Sequence, residues 1–89
     1  DRAIFLCSLL VNIGAEAKVH VLEVEKALRH PVVLMQSDKV YLLDPYPPAK
    51  HIIGSTQQDA LVQFTLGENK YTRSLFEFNA TSYAEFGAE

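Results

Sequence analysis

Apolar residues recur along this chain in two rhythms, one near every third or fourth position and one at every second, and the changes between them mark the elements. From Asp1 to Ile13, Ala3, Ile4, Phe5, Leu6, Leu9, Leu10, Val11 and Ile13 cover most of a helix's circumference. An acidic first residue and Gly14 suit its two ends. Such breadth predicts a central helix buried on most sides. Glu16 to Val24 alternates loosely through Val19 and Val21 and predicts a strand, and Glu25 to Arg29 is a charged connection. Two further apolar runs, Val32 to Met35 and Val40 to Leu43, flank a polar Gln36-Ser37-Asp38 break, which is the pattern of a hairpin.

A histidine, His30, opens the first arm of that hairpin and an aspartate, Asp44, closes the second. Neighbouring residues on a strand point to opposite faces, so loop parity decides whether these side chains meet. If only Ser37 and Asp38 form the loop, His30 opposes Pro45 and Asp44 points away. An odd loop of Gln36-Ser37-Asp38 places Met35 opposite Lys39 and His30 opposite Asp44, with Cβ atoms about 4.5–5.5 Å apart. Ser-Asp is a poor two-residue primed turn, whereas a three-residue loop can end on an αL residue, a conformation Asp tolerates. The odd loop is therefore expected. It puts His30, Val32, Leu34, Val40, Leu42 and Asp44 on one face that can be laid against a helix.

Downstream, Pro45-Tyr46-Pro47-Pro48 rules out regular pairing, and a loop is expected to about Thr56. Gln57 to Leu66 has both helical and strand character. The alternation of Val62, Phe64 and Leu66 with Gln63 and Thr65 favours the first arm of a second hairpin, turning at Gly67-Glu68-Asn69-Lys70 and returning through Phe76, Glu77 and Phe78. Asn79 suits the cap of a short last helix through Phe86. Asn79-Ala80-Thr81 also fits a glycosylation sequon, a triplet common by chance, and nothing else points to secretion.

Composition narrows the function. With 89 residues, 48% of them hydrophobic and 21% charged, the chain suits a single domain spanning 1–89 with one core. A net charge of −3 without a basic cluster argues against nucleic acid or anionic membrane as partner. The longest apolar run, Ala3 to Val11, is too short to cross a bilayer, and no secretory or transit segment is readable. One cysteine excludes an internal disulfide and a multi-cysteine zinc site, which makes a reducing cytoplasm the expected location. Asp1 is not a methionine and the helical pattern is already running there, so further residues are expected upstream.

Asn12-Ile13-Gly14-Ala15-Glu16-Ala17-Lys18-Val19, then His30-Pro31-Val32-Val33, then Tyr41-Leu42-Leu43-Asp44-Pro45 resembles, in order and spacing, the transglutaminase-like superfamily of the papain-like cysteine peptidase fold. The resemblance covers about residues 1 to 48. It implies an α+β domain with a central buried helix packed on an antiparallel sheet, and a Cys-His-Asp catalytic triad in which His30 and Asp44 are two members. It further implies a hydrolase of peptide or amide bonds, or an acyl transferase, with a protein or peptide as substrate and no cofactor or metal. The family's nucleophile lies at the start of the helix, a position that falls just before Asp1, so the domain is expected to be truncated and inactive as given. The family's tryptophan after the histidine is Val32 here. Those two departures equally suit a non-catalytic protein-binding module on the same fold.

Cys7 is mid-helix among Phe5, Leu6, Leu9 and Leu10, where helix N–H groups are already committed and burial raises a thiol's pKa; it is expected to be a core residue. A third reading makes it the nucleophile of a minimal thiol enzyme, which requires solvent access and an imidazole nitrogen within about 3–4 Å. His20 is expected to be partly buried and hydrogen-bonded, and His51 solvated. The three histidines have no metal-ligand spacing, so no metal site is expected. Tyr46 either lines a cleft beside the Asp-Pro corner or packs on the prolines.

Overall fold

Where two helices lie is decided by which face of each strand is apolar. In the computed structural model, which describes residues 2–24, 28–45, 50–65 and 71–86, the elements run α1 (Arg2–Asn12), β1 (Glu16–Val24), β2 (Leu28–Gln36), β3 (Val40–Asp44), β4 (Lys50–Gly54), α2 (Gln57–Thr65), β5 (Tyr71–Phe78) and β6 (Tyr83–Glu85). The strands form one antiparallel sheet in the order β4-β3-β2-β1-β5-β6. Leu22, Val32, Leu34, Val40 and Leu42 point to one face and pack with Ala60, Leu61 and Phe64 of α2. Ala17, Val19, Val21 and Val33 point to the other and pack with Ala3 and Cys7 of α1. The fold is thus α+β, with a helix on each side of the sheet.

Helix α1 ends as its glycine predicts. Gly14 takes φ 89°, and the Ala15 and Gly14 N–H groups donate to the Leu10 and Val11 carbonyls at 2.9 and 3.0 Å, closing a Schellman motif. The expectation of a central, buried helix is corrected. Only Ala3 and Cys7 are buried and Leu6 and Leu10 half-buried, while Phe5 is 66% and Ile13 80% exposed. A helix lying on one sheet face buries a single stripe, at positions 3, 6, 7 and 10.

The β2–β3 loop has three residues, as parity suggested, but they are Ser37, Asp38 and Lys39. Gln36 pairs with Val40 and Met35 with Tyr41. Moving the loop by one residue frees Lys39 to solvent and gives Met35 an aromatic partner, and because both registers have the same parity no side chain changes face.

Three expectations downstream are overturned. The segment after the prolines is not loop throughout, since Lys50–Gly54 pairs with β3. Gln57 to Thr65 is a helix: the Thr56 hydroxyl accepts from the Asp59 N–H at 3.0 Å, and the Asp59 carboxylate accepts from the Ser55 N–H at 3.0 Å. This cap outweighs the Val62-Phe64-Leu66 alternation, and the stripe Ala60, Leu61 and Phe64 is what is buried. The last segment is a strand, because Asn79 closes a turn rather than capping a helix; its side-chain oxygen accepts from the Thr81 N–H at 2.9 Å and the Ser82 hydroxyl at 3.0 Å. The expected turn at Gly67-Glu68-Asn69-Lys70 lies outside the described residues.

Helix α2 approaches β4 so closely that a Cβ on Gly54 would lie 2.6 Å from the backbone nitrogen of Ala60. Gly54→Ala is expected to lower stability by about 1–3 kcal/mol through overpacking. Gly14→Ala, which meets nothing within 4 Å, is expected to lose about 1 kcal/mol through its positive φ alone. Urea midpoints of the two variants give the comparison, and the larger loss belongs at Gly54.

Candidate functional site

The hairpin of β2 and β3 brings His30 and Asp44 together. Asp44 pairs with Lys50 on β4 and, continuing the β2–β3 register, lies opposite Val32, so His30 is its diagonal neighbour on the same face. The two side chains bridge that step: His30 Nε2 lies 3.0 Å from Asp44 Oδ2. Asp44 is buried, with its side chain 5% exposed, while the imidazole keeps 22% of its surface. Phe64 of α2 stacks on the ring with centroids 5.9 Å apart and planes inclined by 29°. A carboxylate beside Nε2 selects the tautomer in which Nε2–H donates to it, so in the neutral ring Nδ1 carries the lone pair that can accept a proton. The aromatic neighbour of the ring is thus Phe64, three elements after β2 in the chain.

Cys7 has no part in this arrangement. It packs with Ala17, Val19, Val21 and Val33 on the face away from His30, 5% exposed, and burial pushes its thiol above the ordinary cysteine range. The reading of Cys7 as nucleophile fails on both requirements, access and an imidazole within reach. His51 is exposed and opposite Leu43, hence on the α1 side, whereas His20 and His30 lie on the α2 side, so the three histidines do not converge. Among the described residues no group of three histidine, cysteine or carboxylate side chains is placed to hold a metal ion, and no helix is long and apolar enough to cross a membrane. Tyr46 lies outside the described residues.

A second polar cluster, invisible to local sequence patterns, sits on the same face where β1 meets β5. His20 is fully buried. Its Nδ1 lies 2.9 Å from Glu77 Oε1 and its Nε2 2.8 Å from the Ser74 hydroxyl, while Lys18 Nζ donates to Glu77 Oε2 at 2.6 Å. Phe86 covers the ring with centroids 5.6 Å apart. His20 was legible as hydrogen-bonded, though it is fully rather than partly buried, and its partners lie 54 and 57 positions away.

With the fold and these contacts established, no protein-family model, curated protein or solved structure matches the chain.

Burial holds His20 below the ordinary histidine range; the hydrogen bond and charge of Glu77 oppose this, and Lys18 adds to it. Burial works to raise Glu77, but hydrogen bonds from Lys18 and His20 outweigh it and hold the carboxyl low. Both groups therefore take up protons more readily in the unfolded chain. Their contribution to stability is complete above the unfolded histidine pKa and declines as pH falls through that value towards the folded one, with Glu77 adding to the loss at lower pH. Between about pH 7.5 and about pH 5 the urea midpoint is expected to fall, and less steeply in His20→Gln. The difference in slope, rather than the absolute midpoint, isolates His20.

Proposed function

We propose that this chain carries the acid–base half of a transglutaminase-like thiol acyl-transfer site. The observation that carries the reading is the 3.0 Å contact of a half-exposed imidazole with a buried carboxylate, on the two strands of one hairpin. The order of motifs from Asn12 to Pro45 supports it.

In this reading a cysteine thiolate attacks a carboxamide or peptide carbonyl, and the proton held at His30 Nδ1 passes to the departing amine. Asp44 keeps the ring oriented through Nε2–H and favours the imidazolium while it exists. Water arriving at the thioester then gives hydrolysis, and a second amine gives transfer, with His30 again taking and returning the proton. Cys7 is the chain's single cysteine and is buried on the opposite face, so the thiol is assigned to a residue outside these 89. A protein or peptide substrate and a reducing, cytoplasmic setting belong to the same proposal. A second reading, a non-catalytic module on the same framework, is favoured by the exposed apolar residues of α1, Ile4, Phe5, Leu9 and Val11, which are 41–66% exposed, and by Ile13 just after it at 80%.

Iodoacetamide labelling of the longest natural form of the protein separates the two. The enzyme reading expects a fast-reacting cysteine other than Cys7, slowed about 10²-fold in His30→Ala and less in Asp44→Asn. Cys7 is expected to react only once the chain is unfolded. Labelling indifferent to His30, or no reactive cysteine beyond Cys7, leaves the binding reading in its place.

A further inference from the structure

The cluster around His20 uses none of the residues assigned above, and its bonding order is that of a catalytic relay. Glu77 receives Nδ1–H, which leaves Nε2 as acceptor for the Ser74 hydroxyl, so one neutral tautomer satisfies both contacts, at 2.9 and 2.8 Å. The second carboxylate oxygen is held by Lys18 at 2.6 Å, which fixes the carboxylate plane against the ring.

Ser74 and Glu77 are three apart on β5, and in a regular strand they would point to opposite faces. They share a face because Val21 pairs with Phe76 while Leu22 pairs with Ser74, leaving Leu75 as an extra residue in a β-bulge. Leu75 and Phe76 consequently both pack on the α1 side, and Ser74 is turned towards His20. A simple buried ion pair between His20 and Glu77 requires no such bulge; a hydroxyl in line with them does. Ser74 is half-buried and His20 fully buried, so the Ser74 end of the relay is the one nearer to solvent.

We propose that Ser74, His20 and Glu77 form a second acyl-transfer site, with Ser74 as the nucleophile towards esters and other activated acyl compounds. Ser74 Oγ bonds to the carbonyl carbon as its proton passes to His20 Nε2. The tetrahedral adduct collapses, the ester C–O bond breaks, and His20 returns the proton to the departing alkoxide, which leaves as an alcohol. Water adds to the acyl-serine by the same relay, releasing a carboxylic acid and restoring Ser74. Glu77 orients the ring throughout and offsets its charge while it holds the proton.

A fluorophosphonate reagent tests this, because its phosphorus takes the serine oxygen and releases fluoride. Ser55, exposed and hydrogen-bonded to Asp59, is the internal reference. Peptide mass mapping is expected to show Ser74 modified about 10²-fold faster than Ser55, with the Ser74 rate falling by about the same factor in His20→Gln and by less in Glu77→Gln. Circular dichroism establishes that the variants fold. Ser74 reacting no faster than Ser55 in the native chain overturns the proposal, and so does an unchanged rate in folded His20→Gln. If that variant does not fold, the Ser74-to-Ser55 ratio in the native chain decides alone.

Discussion

The pairing of β1 with β2 is the constraint on which everything else in this domain depends. Nine residue pairs, from Glu16↔Gln36 to Val24↔Leu28, hold the two central strands together. Their alternation sends Val19, Val21 and Val33 to α1 and Leu22, Val32 and Leu34 to α2. A slip of one residue would exchange the two sets and turn His20 and His30 towards the wrong helix. Two small cores of different composition leave little freedom for such a slip.

The same alternation carries polar groups into the α2 side, where each has found a partner. Burying an imidazole and a carboxylate removes solvation that only close hydrogen bonding restores. Among the described residues no buried side-chain nitrogen or oxygen lacks one. The two imidazole–carboxylate contacts have nevertheless been built differently. His20 is enclosed by Glu77, Ser74 and Phe86, whereas His30 rests on Phe64 and stays open along part of its ring. Enclosure holds the first ring in one orientation, and the opening leaves the second able to meet something from outside.

How much of this was legible in the sequence follows from the range of each interaction. The shared face of His30 and Asp44 was, because it depends only on the parity of one local hairpin, but with the loop at Ser37-Asp38-Lys39 the expected direct opposition became a diagonal one, Val32 standing opposite Asp44. Helix α2 announced itself through Thr56 and Asp59, a three-residue spacing characteristic of helix starts, but a run that alternates Val62, Phe64 and Leu66 concealed it. The breadth of apolar residues on α1 was misleading in the other direction, since composition does not reveal that the sheet covers only one side of a helix. Strand β4 comes after a proline-rich stretch of sequence, and Lys50-His51-Ile52-Ile53-Gly54 has neither the apolar run nor the alternation that marked β3. The Ser74–His20–Glu77 cluster was beyond local reading, because it needs the β1–β5 pairing and a bulge whose position at Leu75 no periodicity marks.

The outermost strands bear on how this sheet behaves among other molecules. At one border β4 has five residues, and at the other β6 has three, all well exposed. Open strand borders invite other chains to add themselves by main-chain bonding, and the hazard grows with the length of straight ribbon on offer. Here the nine-residue strands, β1 and β2, lie inside the sheet, and the strands at its two borders are shorter than either.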